Sequence, residues 1–269
     1  MAICFGPAGL GPASTALQVL ETYHKLSLRA CEIAFTYNVY IKQNEAEIIG
    51  KKARELSIEL SIHAPYFVNL NSDEERKREA TKKRILDCCK IGELLGAKIV
   101  VFHPGYYSRK GKEILYEETY QTIKQGILDI MRTIKEKKWK IEIAPETMGK
   151  INVFGSIEEI SRLVNETSCS FCLDFAHILA REKKIDFEKI NSLFPQNKWH
   201  CHFSGIIYGE KGEKHHKTTE KNEWENLLKN LPEDKDICII NESPTLVKDS
   251  VLGLKLWESY KRQNGPAEN

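Results

Sequence analysis

Residues 58–67 read IELSIHAPYF. Apolar and polar side chains alternate from 58 to 62, the period of a half-buried strand. The run stops at a histidine with a proline two positions on. Pro65 has no backbone N–H to offer a ladder, so His63 is the last side chain this strand delivers. The pattern recurs along the chain. Strand-like runs occupy AICFG (2–6), CEIAF (31–35), KIVVFH (98–103), KIEIAPE (140–146), SFCLD (170–174), KWHCHFS (198–204) and DICIINE (236–242). Charged, amphipathic stretches of helical length separate most of them: 44–56, opening on Asn44; 73–95, closed by Gly96; 117–137; 156–165, whose Ser156 and Glu159 form a capping box; and the shorter 184–193 and 222–230. Strand–helix units repeated about eight times over some 250 residues predict an α/β protein, a single (β/α)8 TIM barrel over residues 1–260 with a polar C-terminal tail at 261–269. An open doubly wound sheet is the alternative, but GPAGLG (6–11) lacks the G-x-G-x-x-G spacing of its phosphate loop.

Composition narrows the class. Hydrophobic residues make up 41%, charged residues 29%, and the net charge is +2, values of an ordinary soluble globular chain. That balance neither demands nor excludes nucleic acid; a basic surface has to be local. No apolar run approaches the roughly 18 residues of a membrane span. MAICFGPAGLGPAS lacks the charged start and unbroken apolar stretch of a signal peptide. The expectation is a cytoplasmic monomer with no membrane partner. Cysteines stand at 4, 31, 88, 89, 169, 172, 201 and 238. Cys169 and Cys172 have C-x-x-C spacing but no second close pair, as a zinc ribbon requires, and read as reduced, buried side chains.

The strand ends carry chemistry. His63 ends the third strand, His103 the fourth, Glu146 the fifth and Asp174 the sixth, with His177 three residues on; His202 lies in the seventh and Glu242 ends the eighth. The loop after the seventh strand holds Glu213, His215 and His216. One histidine at a strand end is ordinarily a capped, hydrogen-bonded side chain. Six successive strand ends converge on one face of a barrel, and burying so many ionisable groups together costs several kcal/mol per charge without a cation. Mixed imidazole and carboxylate donors favour Zn2+, with Mn2+ or Fe2+ as alternatives. Their number suits two or three ions, an arrangement used in phosphoester hydrolysis.

Taken in order, HAPYFVNLNS (63–72), VVFHPGYY (100–107), IAPETMGK (143–150), LDFAHILAR (173–181), HFSGIIYGEKGE (202–213) with a histidine three residues beyond, and NESP (241–244) resemble the endonuclease IV family of apurinic/apyrimidinic endonucleases, above all its shorter archaeal-type members. The resemblance spans nearly the whole chain. It implies a three-zinc TIM-barrel hydrolase of base excision repair. Such an enzyme cleaves double-stranded DNA 5′ to an abasic site, leaving a 3′-hydroxyl and a 5′-deoxyribose phosphate, and trims blocked 3′ ends. It implies that His63, His103 and Glu146 hold one metal. Glu146 then bridges to a second, completed by Asp174, His202 and Glu242, while His177 holds a third with Glu213 and His216, His215 being the rival. Glu146 becomes the catalytic residue, positioning a bridging hydroxide in line with the departing 3′-oxygen. Bacterial members also insert an arginine from the loop after strand two; FTYNVYIKQ (35–43) has none. Tyr66 matches the family's DNA-contacting tyrosine, and Tyr37, Arg109 and Arg181 are further candidate DNA contacts. The competing readings are a sugar isomerase or epimerase of the related xylose-isomerase-like barrels, and a binding barrel without activity.

Overall fold

A computed structural model of the chain describes residues 3–264. Eight parallel strands line the barrel: β1 (Ile3–Pro7), β2 (Ala30–Ala34), β3 (Glu59–His63), β4 (Ile99–Phe102), β5 (Glu142–Pro145), β6 (Cys172–Asp174), β7 (Lys198–Phe203) and β8 (Asp236–Asn241). Pairing runs β2–β3–β4–β5 in one half and β1–β8–β7–β6 in the other. Two seams close the circle. Between β1 and β2, Arg29 N–H donates to Phe5 O at 3.0 Å. Between β5 and β6, Ser170 N–H donates to Ile143 O and Thr147 N–H to Cys172 O, each at 3.0 Å, and Glu146 pairs with Cys172. The first seam requires Gly6, because a β carbon there would lie 1.9 Å from Ala30 O. The TIM barrel expected from the strand rhythm is the observed fold.

Helices α1 (Ala16–Lys25), α2 (Gln43–Glu55), α3 (Glu75–Leu95), α4 (Tyr116–Glu136), α5 (Ile157–Thr167), α6 (Phe175–Glu182), α7 (Phe187–Leu193), α8 (Lys221–Asn230) and α9 (Leu246–Asn264) accompany the strands. The main apolar core holds strand residues such as Phe5, Ile62, Phe102 and Ile143 together with helix residues such as Leu20, Ile85, Ile127 and Trp224. Of the smaller apolar groups apart from it, two come from strands, Ile99–Val101–Ala144–Cys172 and Ala30–Cys238–Ile240. Strand alternation turns these residues into the barrel, whose upper interior is left to polar side chains.

Local signals act where the sequence places them. Ser156 Oγ accepts from Glu159 N–H at 3.2 Å and Glu159 Oε2 accepts from Ser156 N–H at 2.9 Å. Gly96 ends α3 at φ 68°, a left-handed turn that glycine adopts without strain. Helices α1, α6 and α9 lie outside the stretches predicted as helical. The segment after β7 is no open loop: Gly205–Gly209 and Gly212–Lys217 pair as an antiparallel hairpin. Helix α9 includes residues 261–264 of the expected tail; 265–269 lie outside the described residues. All eight cysteines are free thiols.

Candidate metal centre

The strand ends bring the expected ligands to one point. Glu146 is fully buried just past β5, fixed by Glu146 N–H to Phe102 O at 3.1 Å. Four imidazoles surround its carboxylate. His63 Nε2 and His103 Nε2 lie 3.3 and 3.1 Å from Oε2, and His202 Nδ1 and His177 Nδ1 lie 3.2 and 3.4 Å from Oε1. Three of the four overlapping donor groups among the described residues lie here: His63–His103–Glu146, Glu146–Asp174–His202–Glu242 and Asp174–His177–His216; the fourth, Cys172–His200–His202, lies beneath. Residues assigned to the three sites from the sequence are thus brought together, with Asp174 in both the second and the third group and Glu213 in neither. Glu213 is at the edge of the third, with Oε2 3.5 Å from His177 Nε2. This approach depends on Gly149, where a β carbon would lie 2.8 Å from Glu213 Cβ and 3.0 Å from His177 Cδ2.

Contacts to carbonyl oxygens show which ring nitrogen keeps its proton. His63 Nδ1 is 2.7 Å from Ala64 O and His177 Nδ1 is 3.0 Å from Thr147 O. A carbonyl only accepts, so each ring in its neutral form keeps its proton on Nδ1 and offers the Nε2 lone pair to a cation. His216 Nδ1 is 2.5 Å from Ser204 Oγ, whose own proton goes to Gly205 O; its ring centroid is 5.3 Å from that of His177. His215 is exposed on the same hairpin, outside the donor groups. Asp174 caps α6 by accepting His177 N–H at Oδ1, 2.7 Å, and its buried Oδ2 has no hydrogen-bond partner. Anchored rings and unpaired inward donors are what a resident cation requires. The donor set therefore fits borderline divalent metals.

Electrostatics agree. Burial alone would raise Glu146, yet the histidines around it, His103 foremost, hold it well below the carboxylate range. Burial would lower His63, but Glu146 raises it to about 9. Burial would also lower His177, but Asp174 and Glu146 raise it to about 10. Protons on these rings neutralise the carboxylates in the absence of metal.

A cavity of ≈ 620 Å³ opens over the centre, with Tyr66, Tyr106, Lys150 and Leu246 in its walls. Tyr66 is 47% exposed, its ring 5.0 Å from that of His63 and 5.6 Å from that of His103. Tyr37, in the segment after β2, is 78% exposed, and Arg109 is exposed in a short hairpin after β4. Arg181 departs from expectation. Its side chain is 11% exposed and donates to Lys150 O, Val153 O and Tyr107 Oη at 2.6, 2.9 and 3.0 Å. It braces the segment after β5 and has no guanidinium face free for a phosphate.

Residues 20–255 match the family described as xylose isomerase-like TIM barrels. The chain belongs to that family. Within it, an uncharacterized protein of Methanocaldococcus jannaschii is 34% identical over 95% of this chain and 97% of its own. A protein of Mycoplasma genitalium named probable endonuclease 4 is 25% identical over 74% of each chain. Endonuclease IV from Thermus thermophilus superposes with a TM-score of 0.68 at 20% identity, covering 98% of this chain and 100% of the other. D-psicose 3-epimerase from Clostridium cellulolyticum superposes at 0.65 and 13% identity, covering 98% and 99%. At such identities these xylose isomerase-like barrels share the fold.

Two inward residues escaped the sequence reading. Glu32 on β2 and His200 on β7 are buried one pleat below the centre, with Glu32 Oε2 3.2 Å from His200 Nε2. The signal was a lone acid inside the apolar run CEIAF and a second histidine two positions before His202.

Proposed function

We propose that the protein is a metal-dependent DNA-repair endonuclease that hydrolyses the phosphodiester 5′ to abasic sites in double-stranded DNA and trims blocked 3′ ends. The observation that carries this reading is Glu146, one buried carboxylate with four imidazoles within 3.4 Å and a place in two overlapping donor groups. The likeness to proteins named probable endonuclease 4 supports it.

His63, His103 and Glu146 would hold one cation; Glu146, Asp174, His202 and Glu242 a second; His177 and His216, with Asp174 and Glu213 beside them, a third. Zn2+ is the preferred ion, and Mn2+ or Fe2+ suits the same donors. Bound there, the cations concentrate positive charge beside a phosphate and lower the pKa of water. The residues supply the geometry. In the reaction a water oxygen adds to phosphorus, the P–O3′ bond breaks with its electron pair on O3′, and O3′ takes a proton. Glu146 orients the attacking water. Tyr66 offers a ring face at the cavity mouth for an unstacked nucleotide, and Lys150 a charge for the backbone. Tyr37 and Arg109 extend the contact to flanking DNA.

A duplex bearing one abasic-site analogue, incubated with zinc-loaded protein, is expected to be nicked on its 5′ side, and a chelator to stop the reaction. No incision, with turnover of a ketose instead, replaces this reading by a sugar epimerase.

A further inference from the structure

The interior of a TIM barrel is ordinarily filled by apolar layers. Here the layer beneath the centre holds Glu32, fully buried, and its two oxygens have unequal partners. Oε2 accepts from Ser61 Oγ at 2.9 Å and lies 3.2 Å from His200 Nε2. Oε1 has no completed hydrogen bond and faces His202 Nε2 at 3.1 Å, on a ring that the Cys172 thiol also approaches.

His202 also differs from its neighbours. His63, His177 and His216 tie their Nδ1 protons to backbone carbonyls or a hydroxyl. His202 is turned the other way, with Nδ1 3.2 Å from Glu146 and 3.5 Å from Glu242. A neutral imidazole has one lone pair and one N–H. If Nδ1 donates its pair to the centre, the proton belongs on Nε2, and Glu32 Oε1 is the acceptor in place to receive it. The same count argues against Cys172, His200 and His202 forming a further cation site, because His202 has no second lone pair to give.

We propose that Glu32 is a positioning residue. It fixes the proton of His202 on Nε2 and turns Nδ1 toward the group formed with Asp174 and Glu242, while Ser61 and His200 hold the carboxylate in place. A carboxylate behind a metal-bound imidazole also raises the ring's basicity. The inference rests on the metal reading above and is independent of the DNA reading.

The test uses zinc and no DNA. Long-range 15N–1H spectra of the zinc-loaded protein are expected to show His202 protonated at Nε2, and the proton on Nδ1 overturns the proposal. Titration with zinc is expected to show a roughly 10–100-fold weaker site in Glu32→Ala, with the His63–His103 site unchanged. Glu32→Gln keeps an acceptor oxygen and should recover most of that loss. Equal zinc affinity in folded Glu32→Ala and the parent overturns the proposal. So does an extra zinc equivalent that disappears in Cys172→Ser, since His202 Nε2 then carries a metal in place of the proton. If Glu32→Ala does not fold, the spectrum of the unmutated protein decides. A parent that binds no zinc overturns the metal reading itself, an outcome distinct from parent and variant binding alike.

Discussion

At the scale of single residues, Glu146 concentrates the most chemistry in one carboxylate. Glu146→Gln keeps the shape and removes the charge that four imidazoles share. It is expected to lower incision of abasic duplex by more than the ~100-fold typical of an outer-shell change, with the circular dichroism spectrum unchanged. The third donor group separates two adjacent histidines. His216→Ala is expected to lose one metal equivalent per chain by elemental analysis, and exposed His215→Ala none. The ligands at strand ends are legible in the sequence because proline marks many of those ends: His63 precedes Pro65, His103 precedes Pro104, Glu146 follows Pro145 and Glu242 precedes Pro244. Glu32 and His200 are not legible in that way. They lie inside strands, where the lone acid of CEIAF and the histidine two before His202 read equally well as the solvent-facing phase of an alternation.

At the scale of elements, the segments beyond the strands shape the site. Arg181 projects from α6 under the 148–153 segment and donates to its carbonyls. Removing a charged donor from such bonds costs about 1.5–3 kcal/mol. Arg181→Ala is therefore expected to lower the melting temperature by several degrees and to speed amide exchange in residues 148–153. The salt dependence of DNA affinity should stay unchanged, because the guanidinium is committed to protein oxygens. Arg109→Ala, on the exposed hairpin, should do the reverse: weaken DNA binding, flatten its salt slope by about one ion and leave stability alone. The sequence reading took Arg181 for a DNA contact because distance along the chain from a ligand says little about which way a long guanidinium side chain will turn. It likewise took the 205–217 hairpin for a loop, since HFSGIIYGEKGEKHHK alternates only in part and its register shifts between Ile207 and Tyr208.

At the scale of the whole molecule, the barrel and its metal chemistry are coupled through protons. His63 and His177 have folded values raised to about 9 and about 10. Their contribution to the metal-free fold is fully present below the unfolded value near 6.5 and is lost as pH rises through 9 to 10. Chelated protein is thus expected to lose melting temperature between pH 7 and 10, while zinc-loaded protein, its rings already deprotonated, changes less. Zinc uptake at pH 7.5 should release protons, seen as a calorimetric heat that scales with the ionisation enthalpy of the buffer. The division of the barrel into two paired halves has a consequence for its closure. His63, His103 and Glu146 belong to the β2–β5 half; Asp174, His202 and Glu242 belong to the half that contains β6, β7 and β8. The donor group that unites Glu146 with the latter three does not exist in either half alone. It comes into being only when the β5–β6 seam is shut, so a cation held there would tie the two halves of the barrel together and resist their reopening.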